Sequence, residues 1–210
     1  MIPDLVTTWV SGWAVSRERP RPARMPWGFY IDVDQPGQVG RHVLPEAPGS
    51  LIREAAASVA VPDTWLKAPV APDEVAPWLP AGWIVDEEET GHLMATDLQA
   101  THPRLPEGYT ATVEVRNGVT YVRVHDGAGE RAAGGQMAVL GDATVVDRVV
   151  TEEAHRRRGL GGYVMRTLAD LAVAEGAQLG VLGATDEGRA LYETLGWKTH
   201  APLAACMYRP

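Results

Sequence analysis

The sequence has one cysteine, one phenylalanine and two lysines in 210 residues. Cys206 alone cannot close an internal disulfide, so a reducing compartment, the cytoplasm, is expected. In its apolar setting it reads as a small buried hydrophobe rather than a nucleophile. No apolar run approaches the roughly 18–20 residues of a spanning helix. The first residues, MIPDLVTTWVSGWAVSRERPRP, lack a basic stretch ahead of an apolar one and do not read as a signal peptide. Positive charge is scarce: 19 Lys and Arg stand against 27 Asp and Glu, a net charge of −8. That balance argues against general nucleic-acid binding and against an anionic membrane surface. The six histidines show no metal-ligand spacing, so no metal site is expected.

What is present fits an ordinary globule of one large domain or two small ones, with 45% apolar and 22% charged residues. Arginine far outnumbers lysine, and Ala, Gly and Pro are abundant, a bias consistent with a GC-rich bacterial genome. The chain changes character near residue 100. Residues 1–104 carry 8 basic and 14 acidic side chains; residues 105–210 carry 11 and 13. Six of the seven tryptophans and most prolines lie in the first part. There, RERPRPARMPWG (17–28) reads as an irregular arm and FYIDVD (29–34) as a strand. SLIREAAASVA (50–60) reads as a helix capped by Ser50 and stopped by Pro62. A short second helix is expected over 73–79. GWIVDEEE and HLMATDL form two strand candidates, with Gly91 between them as the turn of a hairpin. Glu87, Glu88 and Glu89 read as a solvated turn.

Beyond a loop at 101–108 the pattern is clearer. YTATVEVR and VTYVRVH alternate on either side of Asn117-Gly118, the strongest short hairpin signal, because both turn residues need positive φ. GERAAGG is expected to break the sheet, with strands resuming at QMAVLG and ATVVDRVVT (143–151). A helix is expected over 161–177, a buried strand over 179–185, and a second helix over 186–196 with Asp186 as its cap. WKTH and LAACMYR close as two strand candidates.

The densest positive charge, HRRRGLGGYV (155–164), lies between a strand and a helix. The N–H groups at a helix start lack intrahelical partners, and aligned peptide dipoles add partial positive charge. Glycine lets an anion approach closely. Together with Arg156, Arg157 and Arg158 these make a phosphate or pyrophosphate site. No Gly-Lys-Ser/Thr of a P-loop is present. The G-x-G-x-x-G fingerprint fails as well, because its third glycine falls on Val164.

The loop resembles the central Arg/Gln-x-x-Gly-x-Gly/Ala motif of the GNAT superfamily of N-acetyltransferases. It stands here as Arg156-Arg157-Arg158-Gly159-Leu160-Gly161. A second feature, Ala-x-x-Leu-Tyr-x-x-x-Gly-Phe/Trp, is matched in part by the run Ala190 to Trp197. The resemblance covers about 105–210. It implies an α/β (α+β) GNAT fold, a mixed central sheet with helices on both faces. It also implies acetyl-CoA, or another acyl-CoA, as donor. Residues 1–104 then form a smaller α/β region, a degenerate GNAT-like half. The family's two helices between its first two strands have no room at Asn117-Gly118. The candidates at 50–60 and 73–79 are therefore expected to form the acceptor-site wall.

The resemblance implies that the Arg156–Gly161 loop, with Gly162, holds the CoA pyrophosphate, and His155 adjoins it. The end of the preceding strand, Val149, Val150 and Thr151, would take the pantetheine arm. Tyr192 would be the general acid for the departing thiolate. Asp147, placed by alternation on one face with Val145 and Val149, ranks first as general base, ahead of Glu114, His125 and Glu152. The expected activity is acyl transfer to a primary amine of a small molecule by direct attack in a ternary complex. The alternative is a catalytically silent CoA-binding sensor or scaffold. A homodimer is compatible with either.

Overall fold

The computed structural model describes all 210 residues as one eleven-stranded mixed sheet with five helices. The chain opens on a helix, α1 (Ile2–Ser16). Pro3 stands in its first turn, and Leu5, Val6, Trp9, Val10, Trp13 and Ala14 form its buried stripe at helical spacing. Strands β1 (Ala23–Met25), β2 (Gly28–Gln35) and β3 (Gln38–Val43) follow as an antiparallel ribbon. Helix α2 (Gly49–Ala57) crosses to β4 (Thr64–Ala68), which lies parallel to β3. Then come α3 (Pro72–Val75), a 3-10 turn over Ala76–Trp78, and β5 (Trp83–Asp97).

The second half has no opening helix and one more strand, but ends on the same order of helix, strand, helix and strand. A hairpin of β6 (Thr110–Arg116) and β7 (Val119–His125) leads to β8 (Arg131–Leu140) and β9 (Ala143–Thr151). Helix α4 (Leu160–Ala174) crosses to β10 (Leu179–Ala184), parallel to β9. Helix α5 (Asp186–Thr194) and strand β11 (Lys198–Tyr208) finish the chain. The last strand of each half crosses over. β5 pairs with β10 of the second half, β11 pairs with β4 of the first, and β5 and β11 pair with each other at the centre. The strand order is β1-β2-β3-β4-β11-β5-β10-β9-β8-β7-β6.

Several local expectations change. Gly91 does not turn the chain: β5 is a single strand, with Glu87–Thr90 as an extra loop of residues between Asp86 and Gly91 that β11 does not match. Arg131–Gly135 does not break the sheet but belongs to β8, and the two closing strands are one, β11, with irregular register. Ser50 lies inside the first turn of α2, whose N-cap is Pro48. Thr185 rather than Asp186 caps α5, its Oγ1 accepting from the Gly188 N–H at 3.2 Å. Asn117 (φ +53°) and Gly118 (φ +75°) make the tight turn as expected.

Three apolar clusters fill the space between sheet and helices. One lies under α4 and α5, one between α1 and the middle of the sheet, and one under α2 and α3. No helix is long and apolar enough to cross a membrane. One buried group is out of place electrostatically. Lys67, 8% exposed on β4, donates from Nζ to the Glu89 carbonyl at 2.5 Å. Burial lowers its pKa to about 7. Below pH 7 both the folded and the unfolded chain carry this proton, and the folded state bears the desolvation cost in full. From pH 7 up to the unfolded value of 10.5 only the unfolded chain holds it, so stability rises with pH. Between pH 7 and 9 the gain is about 2 kcal/mol at ~1.4 kcal/mol per pH unit. Urea midpoints at the two pH values check it: wild type is more stable at pH 9, and Lys67→Met loses the slope. A variant that kept the slope would assign it to another group.

Candidate active site

The parallel pair β9/β10 stays in register only over Ala143–Val145 and Leu179–Val181. Beyond that the strands part, leaving the edge of β9 from Val146 to Thr151 unpaired on its β10 side. A bulge aids the parting. Arg148 takes φ +52°, and Gly134 and Gln136 of β8 face Val150 and Asp147, so two β9 residues oppose Gly135 alone. The extra residue also undoes simple alternation. Val145 and Asp147 face α1, but Val149 packs on the other side, with its Cγ2 3.0 Å from where a Gly135 Cβ would stand, beside Val164 and Leu168 of α4. Asp147 and Val149 therefore lie on opposite faces.

At the far end of β9 the chain makes a 3-10 turn, Glu153–His155, and enters α4 through Gly159 in the left-handed region (φ +81°, ψ 0°). No side chain caps α4. The N–H groups from Arg157 to Gly162 donate to no acceptor within the chain, which leaves a cradle able to take phosphate oxygens. Gly161 serves packing: a Cβ there would stand 2.9 Å from Leu191 Cδ2 of α5. The three arginines differ. Arg156 donates to the Thr151 carbonyl at 3.3 Å and pairs with Glu187 at 3.2 Å. Arg158 donates to the Tyr109 hydroxyl at 3.1 Å. Arg157, itself at φ +62°, has no side-chain partner. His155 is held on both nitrogens, by the Tyr109 hydroxyl at 3.0 Å and by Asp126 at 3.7 Å, and so ties the loop to its neighbours.

Tyr192 lies on the α4 and α5 face of the sheet and Asp147 on the α1 face. Tyr192, on α5, is buried, and burial followed by the charge of Asp147 pushes its pKa up to about 12. Asp147 forms a two-point ion pair with Arg17, Nε to Oδ2 and Nη2 to Oδ1, and accepts from Ser16 Oγ at 3.2 Å. Glu114, by contrast, is paired with Arg123 out on β6, while Glu152 is exposed past the end of β9.

Arg17 and its helix were not anticipated. On the Asp147 face the helix over β8, β9 and β10 is α1, with α4 on the other face, whereas α2 and α3 pack on β4, β5 and β11. The apolar stripe of α1 was a visible signal; the partnership of Arg17 with a carboxylate 130 positions away was not. A cleft of about 710 Å³ lies at the opposite end of β10, and no candidate site residue lines it.

Comparison with known proteins completes the description. The model of the acetyltransferase (GNAT) family matches residues 72–197, more than half the chain. Among solved structures, a GCN5-related N-acetyltransferase from Kribbella flavida has a TM-score of 0.66 at 20% identity, covering 99% of this chain and 95% of that one. An acetyltransferase assigned to the GNAT family from Novosphingobium aromaticivorans has a TM-score of 0.62 at 17% identity, covering 99% of both chains. A tandem GNAT protein from the clavulanic acid biosynthesis pathway has a TM-score of 0.54 at 13% identity, covering 77% and 68%. At these identities the likeness is one of fold. With the match of the family model, it makes this chain a member of the GNAT family of acetyltransferases.

Proposed function

We propose that the protein transfers an acetyl or other acyl group from acyl-CoA to a primary amine of a small molecule, by direct attack in a ternary complex. The observation that carries this is the opening between β9 and β10, with Asp147 on one face of the sheet, Tyr192 on the other and the N–H cradle of Arg157–Gly162 at its end. The cradle suits the CoA pyrophosphate, with Arg156, Arg157 and Arg158 as countercharge and His155 bracing the loop. The unpaired edge at Val149, Val150 and Thr151 offers main-chain groups to the pantetheine arm and an N–H to the thioester oxygen. Acyl-CoA supplies the activated acyl group.

Asp147 Oδ1 accepts one hydrogen bond only and so keeps a lone pair for the amine proton, directly or through water. As the amine forms the C–N bond and the C–S bond breaks, Tyr192 donates to the thiolate. Because its phenol pKa of about 12 lies above an ordinary thiol's ~8.5, Tyr192 serves as a hydrogen-bond donor to the developing charge rather than losing its proton outright. In this reading residues 105–210 bind CoA and carry the reacting groups. Residues 1–104, through α1, wall the acceptor side. The repeated order of hairpin, helix, strand, helix and crossing strand supports 1–104 as a degenerate GNAT-like half.

Acetyl-CoA at 100 times its Kd adds about 2.7 kcal/mol of stability, a rise of roughly 5–10 °C in Tm for a chain of this size. Free thiol is then released with a suitable amine. Stabilisation without thiol release from any amine would favour the silent CoA-binding alternative. Neither effect would reject both readings.

A further inference from the structure

The face of the sheet beneath the end of α1 holds more positive charge than its neighbours neutralise. Three arginines there are paired: Arg17 with Asp147, Arg116 with Glu18, and Arg123 with Glu114. Arg131 and Arg148 have no carboxylate in ion-pair reach, and neither does Arg19 nearby. Arg131 and Arg148 line a cleft of about 170 Å³ together with Tyr121, Arg123 and Gln136. That is several times the ~30 Å³ share of one water. The Arg131 guanidinium lies over Gly134, with a terminal nitrogen 3.4 Å from where a Cβ would stand. The cleft also adjoins the β9 bulge. Gln136 Nε2 donates to Ser16 Oγ at 2.8 Å, and Ser16 Oγ donates to Asp147 at 3.2 Å. Burial and the like charge of Arg17 both weigh against the charged form of Arg148. Both guanidiniums are solvent-exposed with no carboxylate on them, so their donors are free to take an anion's oxygens.

We infer that this cleft binds an oxyanion, carboxylate or phosphate, belonging to the acceptor, so that the substrate is an amine carrying its own anionic group and presenting its nitrogen to Asp147. This rests on the acyl-transfer reading above. It narrows the acceptor to amino acids, amino phosphates and similar zwitterions and disfavours simple polyamines.

The test compares matched amines by thiol release: β-alanine against β-alaninamide, and phosphoethanolamine against ethanolamine. Wild type should prefer the anionic member of at least one pair by about tenfold to a hundredfold in kcat/KM, mainly through KM. The pair with the larger preference tells carboxylate from phosphate. In Arg131→Gln/Arg148→Gln the preference should fall towards unity while the acetyl-CoA Kd holds. Each single variant serves if the double one fails to fold, and Arg131→Lys should restore part of the preference. Four results overturn the inference and leave acyl transfer standing. These are equal use of both members of each pair, a preference that survives the substitutions, no turnover of any anionic amine by protein that binds acetyl-CoA, and loss of CoA affinity in the variants, which would give the arginines to CoA. A wild-type protein that does not bind acetyl-CoA removes the acyl-transfer reading, and this inference with it.

Discussion

Gly159→Val should lower acetyl-CoA affinity by about 100-fold or more. The residue holds φ +81°, a left-handed conformation that a β-branched side chain resists at a cost of about 1–3 kcal/mol. The chain can relieve that strain only by moving the N–H groups that follow. If two charge-assisted bonds to pyrophosphate are lost, at about 1.5–3 kcal/mol each, affinity falls by two to four decades. The nearest neighbour to a Cβ at this position is Pro106 at 4.0 Å, so the substitution does not disturb the core. Gly159→Asn separates the two causes. Asparagine tolerates the left-handed region, so its fold should hold while its side chain still crowds the cradle. Calorimetric titration with acetyl-CoA, alongside thermal denaturation, checks both variants. Wild-type affinity in a folded Gly159→Val protein would place the pyrophosphate elsewhere.

The second large effect is on turnover. Tyr192→Phe removes only a hydroxyl, and the ring keeps its place beside Trp197, with centroids 6.3 Å apart. Acetyl-CoA affinity should therefore change little. Loss of one donor to developing charge costs about 100-fold or more in kcat. The pH profile discriminates further. With a pKa near 12, Tyr192 stays protonated throughout the workable range, so its removal should lower the whole profile without deleting a limb. Loss of an alkaline limb in the variant would mean that the hydroxyl titrates in the resting enzyme. An unchanged kcat would leave Tyr192 a packing residue.

Local chemistry was legible in the sequence; long-range pairing was not. Asn117-Gly118 announced its turn because both residues must take positive φ, whatever surrounds them. The entry into α4 was legible as well, its glycines and arginines being contiguous between a strand and a helix. Glycine misled where its job was close approach rather than turning. Gly91 reads as a hairpin turn, but it lies within β5, where a Cβ would stand 2.7 Å from the Ala184 carbonyl oxygen. The stretch GERAAGG reads as a break in the sheet, but the bare Cα of Gly135 lets Val164 and Leu168 press onto β8. In α1 the stripe of Leu5, Val6, Trp9, Val10 and Trp13 has full helical periodicity, and that pattern is visible in the sequence. Two features had no local trace. The Arg148 bulge sends Val149 to the opposite face from Asp147, and the Arg17–Asp147 pair joins residues 130 positions apart.

The exchange of β5 and β11 bears on the order in which the protein can be completed. The open edge of β4 (Thr64–Ala68) is filled by β11 (Lys198–Tyr208), which is synthesised long after it. Until β11 has been made, residues 1–104 can be synthesised in full and still hold an unpaired strand edge, the kind of surface on which chains aggregate. The first half of the sheet thus waits on a strand of the second. However distinct in composition, the two candidate halves can complete their strand pairing only together.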